Sequence, residues 1–283
     1  MNQRAAVLGH PIGHSKSPAL HLSAYKALGL EIGYERIDVT DQGLPELVAR
    51  VRANENWCGL SVTMPLKRAI VSELDEVSGI AAILGAVNTV VVRGGRLVGY
   101  NTDVAGIVNA LRYVNVVQEP RVAILGGGGT AIAAVAAAAE LAASSVDVLV
   151  RNRSRADDVI SAAAAIGTTI TVRDFNGAAS NLAEYDVVIS TLPPQAGDFL
   201  ADEFGQLSSA AQASGRILLD AAYEPWPSAL AAAWQQAGGT IVPGLEMLLY
   251  QAVEQVKMFT GAPERVSGHV IDVMCDSVGA PRR

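Results

Sequence analysis

Lysine, histidine, cysteine and aromatic residues are all scarce in this 283-residue chain. It carries four lysines (Lys16, Lys26, Lys67 and Lys257), four histidines and two cysteines, and aromatic residues make up 5% of it. Basic residues are outnumbered by acidic ones, 21 to 28, for a net charge of −7. The chain therefore lacks the basic footprint with which proteins grip phosphate backbones, and nucleic acid is not an expected partner. Its longest apolar run, Ala131–Ala143, is mostly alanine and is broken by Glu140, well short of the roughly 20 residues a membrane helix needs. The N-terminus shows no basic region followed by a long apolar stretch and a cleavage site, so no secretory leader is expected and the cytoplasm is the expected compartment. Cys58 and Cys275 are too few and too far apart for a disulfide framework or a zinc knuckle and read as unpaired core thiols. His10, His14, His21 and His269 offer no helical two-histidine pair, so no metal site is expected. With 50% hydrophobic and 17% charged residues, the chain is nonetheless one that buries a substantial core.

What is present reads as two α/β units. In the first, Ala5–Leu8, Tyr34–Val39, Gly59–Thr63 and Val87–Val92 are predicted strands. Ser17–Leu28 and Leu44–Ala53 are predicted helices, the former with Ser17 as cap and Pro18 at its first position. Gly94-Gly95 between two apolar runs predicts a hairpin, hence an antiparallel strand in a mixed sheet. Asn101-Thr102-Asp103 suits a helix start, Val104–Tyr113 a helix, and Gln118-Glu119-Pro120 a boundary before a new strand. The second unit opens with the strand Val122–Leu125, a glycine run from Gly126 to Gly129, an alanine-rich helix from Thr130 and the strand Val146–Val150. That succession is a βαβ unit, and further strands at Asp186–Ser190, Ile217–Asp220 and Thr240–Val242 predict a doubly wound, mostly parallel sheet. Leu245–Phe259 reads as a long helix stopped by Gly261 and Pro263.

The glycine run has the spacing of a dinucleotide fingerprint, Gly126-x-Gly128-x-x-Ala131, placed after a strand and opening a helix. Its backbone can approach a pyrophosphate, and the helix N-terminus supplies amide donors and a positive dipole end. An acidic residue about 20 residues past the glycines receives the ribose of NAD. Here the second strand ends instead in Arg151-Asn152-Arg153-Ser154-Arg155, with Asp147 inside the strand. Arginines at a helix start are mildly unfavourable without an anion, and the set suits a 2′-phosphate, so NADP is the expected cofactor. A nicotinamide enzyme acting on an alcohol needs a group to take the hydroxyl proton. No Tyr is followed four residues later by Lys, and a histidine–carboxylate pair has no support in the spacing. Lysine remains, and Lys67 follows a strand that delivers Thr63 at its end before Pro65 halts it. Asn88 and Asp103 reach other strand or loop ends, and together these residues suit a ligand bearing several hydroxyls.

These segments, in order and spacing from Gly9 to about Gly261, resemble the shikimate dehydrogenase family. Gly9-His10-Pro11-Ile12-Gly13-His14-Ser15-Lys16-Ser17-Pro18 is similar to the family's Ser-x-Ser loop. Ser61-Val62-Thr63-Met64-Pro65-Leu66-Lys67 is similar to its Asn-Val-Thr-x-Pro-x-Lys, and Gly85–Thr89 with Gly99–Asp103 completes its substrate pocket. The resemblance implies a substrate domain at residues 1–103, completed by C-terminal helices at about 244–283, and a Rossmann-like NADP-binding domain at 104–243. It further implies reversible NADPH-dependent reduction of 3-dehydroshikimate to shikimate, on the route to chorismate and aromatic amino acids, by a monomer or homodimer. Lys67 would be the proton donor and acceptor with Asp103 its partner. Ser15, Ser17 and Tyr223 would hold the substrate carboxylate, and Thr63, Asn88 and Gln251 its ring hydroxyls. Gly126, Gly127, Gly128, Gly129 and Thr130 would hold the pyrophosphate, Asn152, Arg153, Ser154 and Arg155 the adenosine phosphate, and Ala221, Gly244 and Met247 the nicotinamide.

The chain departs from the family pattern at three places. Ser61 stands where the family usually has Asn, which changes how the strand end is braced. The glycine loop reads Gly-Gly-Gly-Gly-Thr rather than Gly-Ala-Gly-Gly-Ala/Ser. A later basic position of the family falls on Asp157, leaving Arg151 or Arg155 to substitute. Two other readings remain open on sequence alone: a quinate/shikimate dehydrogenase of the same superfamily, usually NAD-dependent, and a non-catalytic NADP-binding protein.

Overall fold

The computed structural model describes residues 3–207 and 211–283, with all their side chains except those of Arg155 and Leu207. The chain divides into two compact units, one of Met1–Asp103 with Leu248–Arg283 and the other of Val104–Met247. The division falls at the start of a helix and inside another, not at Gln118-Glu119-Pro120, which is a loop within the second unit. Among the described residues no helix is long and apolar enough to cross a membrane.

The first unit is built on strands β1 (Gln3–Gly9), β2 (Ile32–Asp38), β3 (Trp57–Val62), β4 (Glu76–Val77), β5 (Thr89–Arg93) and β6 (Arg96–Tyr100), in the order β2-β1-β3-β5-β6-β4. β1 runs parallel to β2 and β3, whereas β5 is antiparallel to both β3 and β6. Gly94 and Gly95 both take positive φ, 56° and 78°, the conformation a two-residue hairpin of this twist demands. One face of the sheet is covered by helices α1 (Ser17–Ala27), α9 (Gly244–Thr260) and α10 (Gly268–Val278), with Leu20, Tyr25, Val253, Val256, Phe259 and Met274 buried between them. α2 (Leu44–Arg52) covers the other, where Leu44, Leu47, Val48 and Val51 meet Leu60, Leu66 and Ile70. α1 does not use Ser17 as its cap: the helix begins at Ser17 itself, with Lys16 before it and no side-chain cap bond. Ser15 Oγ instead accepts the Ser17 N–H at 3.3 Å.

In the second unit, β7 (Arg121–Leu125), β8 (Ser145–Val150), β9 (Thr171–Asp174), β10 (Val187–Ser190), β11 (Ile217–Asp220) and β12 (Thr240–Pro243) form a sheet in the order β12-β11-β10-β7-β8-β9. Every pairing is parallel. With β7 counted as the first strand, this is the doubly wound order 3-2-1-4-5-6 of dinucleotide-binding folds. Parallel strands covered on both faces read as continuous apolar runs, as Val122–Leu125 and Val187–Ile189 do. The alanine-rich α5 (Gly129–Glu140) buries six alanines together with Ile132 and Val135. β9 was not expected: it is a short, polar edge strand with an exposed pattern, and periodicity carries little signal there.

Candidate active site

In the first unit, the topology gathers the chemistry at one edge of the sheet. β1, β3 and β6 end there, and β5, being antiparallel, begins there. Loop residues extend the ladder past the strand ends: Thr63 N–H donates to Leu8 O, Val62 N–H to Asn88 O, Asn88 N–H to Tyr100 O and Val87 N–H to Lys67 O, at 2.7–3.1 Å. Gly9 lets this edge close up, since a Cβ there would lie 2.5 Å from the Thr63 methyl and 2.9 Å from Met64 O. Lys67 lies on the turn that follows β3, and that turn is anchored by the fully buried Leu66 and Ile70.

Lys67 Nζ donates to Asp103 Oδ2 at 2.5 Å, and both side chains are largely buried. Asp103 is the first residue of α4 (Asp103–Tyr113), where the helix dipole favours a carboxylate. Its role goes beyond a cap: Asn101 Oδ1 accepts the Asp103 N–H at 3.0 Å, which leaves the carboxylate to its partners. Asn88 Nδ2 donates to Asp103 Oδ1 at 2.8 Å, and Asn88 Oδ1 accepts the Thr102 N–H at 2.7 Å. A backbone N–H can only donate, so the Asn88 amide is oriented with its NH₂ toward Asp103. Gln251, on α9, donates from Nε2 to Leu248 O and accepts from Thr102 Oγ1 at 3.5 Å. Ser15 and Ser17 are both buried, and Arg36 on β2 donates through Nε and Nη2 to the Ser15 carbonyl, fixing that loop. Thr63 is half-buried at the end of β3.

Sequence reasoning placed Asn101 and Thr102 in the pocket segment without a role of their own, and missed Arg36, Tyr34, His21 and Gln255. Of these, Gln255 had a legible signal: it follows Gln251 by one helical turn on a face that otherwise carries Ala252, Val256 and Phe259.

The second unit carries the glycine loop between β7 and α5. Gly126 has φ +112°, a conformation that requires glycine. A Cβ on Gly128 or Gly129 would meet nothing within 4 Å, so the backbone presents open space there. The helix begins at Gly129 without a side-chain cap bond, and Ala131 is wholly buried against the sheet. Beyond β8, Arg151, Asn152, Arg153 and Ser154 are exposed. Asn152 Oδ1 accepts from Ser154 N and Oγ, and Arg153 Nη2 donates to Val172 O at 2.6 Å. The side chain of Arg155 lies outside the described residues. Asp147 is engaged elsewhere, accepting from Arg173 Nε and Tyr185 OH at 2.6 and 2.5 Å. The open glycine backbone, the uncapped helix start and the basic strand end therefore suit a dinucleotide with a phosphorylated ribose. Ala221 and Gly244 are close neighbours, since a Cβ on Gly244 would lie 2.2 Å from Ala221 O. Met247 is buried at the start of α9, and Tyr223 is half-buried on the loop after β11. The carboxyl of Asp220, at the end of β11, is raised above the ordinary value by burial, although Ser228 Oγ donates to it at 2.5 Å.

A Rossmann unit with a phosphate-ready glycine turn and, in the same chain, a mixed α/β unit holding a lysine–aspartate pair define a nicotinamide-dependent oxidoreductase. The profile described as "Shikimate dehydrogenase substrate binding domain" matches residues 7–90. A shikimate dehydrogenase (NADP(+)) of Bacillus mycoides is 34% identical over 263 residues, covering 92% of this chain and 94% of that one. The crystal structure of Mycobacterium tuberculosis shikimate dehydrogenase superposes with a TM-score of 0.84 at 37% identity, covering 98% of this chain and 99% of that one. The Thermus thermophilus enzyme in complex with NADP(H) and shikimate does so with a TM-score of 0.78 at 29% identity, over 97% and 99%. The chain belongs to the shikimate dehydrogenase family.

Proposed function

We infer that the chain catalyses the reversible NADPH-dependent reduction of 3-dehydroshikimate to shikimate, a step toward chorismate and the aromatic amino acids. The observation that carries this reading is the Lys67–Asp103 ion pair at the loop edge of the first sheet, braced by Asn88. The names of the relatives support it, as does the bound shikimate and NADP(H) of the Thermus structure. When bound, the nicotinamide supplies the hydride in reduction and accepts it in oxidation. Lys67 Nζ gives its proton to the oxygen of the carbonyl being reduced and takes the hydroxyl proton in the reverse direction. Asp103 holds Nζ in place so that it need not search for its geometry, and Asn88 fixes the carboxylate. Ser15, Ser17 and Tyr223 bind the substrate carboxylate; Thr63, Asn88 and Gln251 bind its hydroxyls.

Gly126–Gly129 and Thr130 receive the pyrophosphate on backbone amides, Asn152, Arg153, Ser154 and Arg155 receive the 2′-phosphate, and Ala221, Gly244 and Met247 line the nicotinamide site. Tyr223 apart, the substrate functions fall to residues 1–103 with the C-terminal helices, and the cofactor functions fall to the Rossmann unit. The two buried thiols Cys58 and Cys275 accord with a reducing, cytoplasmic setting.

The test is turnover by the purified chain of shikimate and of quinate, each with NADP⁺ and with NAD⁺. The expected outcome is reduced nicotinamide from shikimate with NADP⁺ at least about tenfold faster than from any other pair, a difference of roughly 1.4 kcal/mol in the barrier. Turnover of quinate with NAD⁺ would transfer the chain to the catabolic relatives, and inactivity in all four would leave a binding protein.

A further inference from the structure

Behind the lysine–aspartate pair, the first unit contains a buried run of polar side chains that the mechanism above does not use. Its centre is Gln255, which is 1% exposed. Gln255 Nε2 lies 3.1 Å from the carbonyl oxygen of Asn88 and 3.0 Å from Thr89 Oγ1. A carbonyl only accepts, so the orientation of the Gln255 amide is fixed and its oxygen faces the other way. There it receives Ser61 Oγ at 2.7 Å and His21 Nε2 at 3.1 Å.

Every proton in the run then follows. Ser61 donates to Gln255, so Tyr34 OH donates to Ser61, at 2.6 Å. His21 carries its proton on Nε2 and accepts from Tyr25 OH on Nδ1, at 3.1 Å. On the other side Thr89, accepting from Gln255, donates to Asn88 Oδ1 at 2.7 Å, and Asn88 donates to Asp103, the partner of Lys67. One carboxamide thus joins two arms, the first ending at Tyr34 and the second at Lys67.

We propose that Gln255 is a positioning residue of the catalytic site, its carboxamide holding Asn88 and, through Asn88, the Asp103–Lys67 pair, in the place left by serine at position 61. The proposal rests on the reading of the site given above. Ser61 Oγ stands 2.7 Å from the Gln255 amide oxygen, so an asparagine at 61, which extends further than serine, would bring its own carboxamide into that space. Ser61 and Gln255 therefore form an exchangeable pair: a short hydroxyl on β3 with a long amide on α9, or a long amide on β3 with a small residue on α9.

The experiment compares the full chain with Gln255→Ala and with Gln255→Ala combined with Ser61→Asn. It measures kcat, KM for shikimate, KM for NADP⁺, the unfolding midpoint, and the acylation rate of Lys67 relative to the exposed Lys26 by an amine-reactive ester, mapped by mass spectrometry. Gln255→Ala is expected to lower kcat about 30-fold while KM for NADP⁺ moves less than about twofold, and to raise relative acylation of Lys67 at least about threefold, because the loss lies in transition-state positioning. Adding Ser61→Asn is expected to restore at least about tenfold of kcat and to return Lys67 acylation toward that of the unsubstituted chain.

An unchanged kcat and unchanged Lys67 acylation in Gln255→Ala would overturn the proposal. So would a double variant that regains the unfolding midpoint but neither kcat nor Lys67 protection, since Gln255 would then be a packing residue alone. If the unsubstituted chain turns over no shikimate yet Lys67 acylation follows the expected pattern, the assignment of activity fails while the positioning role stands.

Discussion

The two units solve the problem of building a site in opposite ways. In the second, the candidate cofactor site is made of backbone: a glycine turn, an uncapped helix start and a close approach of Gly244 to Ala221. In the first it is made of side chains from the loops at the ends of β1, β3, β5 and β6, from the start of α4 and from α9, with Asn88, Asp103 and Lys67 oriented by one another. A backbone site is encoded locally, in glycines at fixed spacing. A side-chain site is encoded across the chain, and its precision depends on partners far away in sequence, such as Ser61 and Gln255, 194 residues apart.

The sharpest way to break this comparison is at the chemistry of the first unit. Lys67→Ala is expected to lower kcat by about 10³-fold, within the range for a general acid–base group, with a much smaller change in KM for shikimate, measured by steady-state kinetics. Comparable losses in both would make Lys67 a binding residue.

The second unit should break through its backbone. Gly244→Ala forces a Cβ to within 2.2 Å of Ala221 O and is expected to cost about 2–3 kcal/mol of stability. Gly128→Ala meets nothing and should leave the urea midpoint within about 0.5 kcal/mol of the parent while raising KM for NADP⁺. Equal midpoints for the two variants would refute the backbone account.

The last contrast is acid sensitivity, and its sign differs between the units. Burial lowers the His21 pKa from 6.5 to about 3, so the neutral imidazole belongs to the fold. Its contribution is complete above pH 6.5 and is lost as pH falls toward 3, by at most about 1.4 kcal/mol per pH unit. Asp220 in the second unit is raised instead, and its burial penalty is relieved on acidification. His10, His14 and His269 are exposed, and residues 104–247 contain no histidine. Hydrogen exchange at pH 5 against pH 7 should therefore show opening of the first unit increasing relative to the second, and His21→Gln should remove the difference.

How much of this was legible follows the same division. Strand–glycine–helix and the alternation of strands and helices identify the second unit from sequence, because those signals are local. β9 escaped because Thr171–Asp174 is polar and at the edge. The Lys67 turn, Asn88 and Asp103 could be placed at strand ends, since Pro65 and the apolar runs mark where strands stop. Ser17 was misread as a cap because Ser-Pro looks like a helix start in one dimension; only the fold shows Ser15 serving its N–H. Tyr34 and Ser61 left no periodic trace, whereas Gln255 could be read from its place one helical turn after Gln251. The serine at 61 looked like a weakened motif when read alone, whereas in space a glutamine from α9 meets it.

The interruption of the first unit in the chain bears on how the protein is made. Leu20, Ala24, Tyr25 and Leu28 on and after α1 are covered by Val253, Val256, Phe259 and Met274, which a ribosome delivers more than 200 residues later. The second unit is contiguous and has all its strands by Pro243, so it can close while the first still shows an uncovered apolar face, a state open to holdase chaperones. Ser61 and His21 receive their shared acceptor only when Gln255 emerges. The beginning of the chain is thus the last part to reach working order, and a nascent protein that stops short of α9 has a cofactor fold without an organised place for substrate.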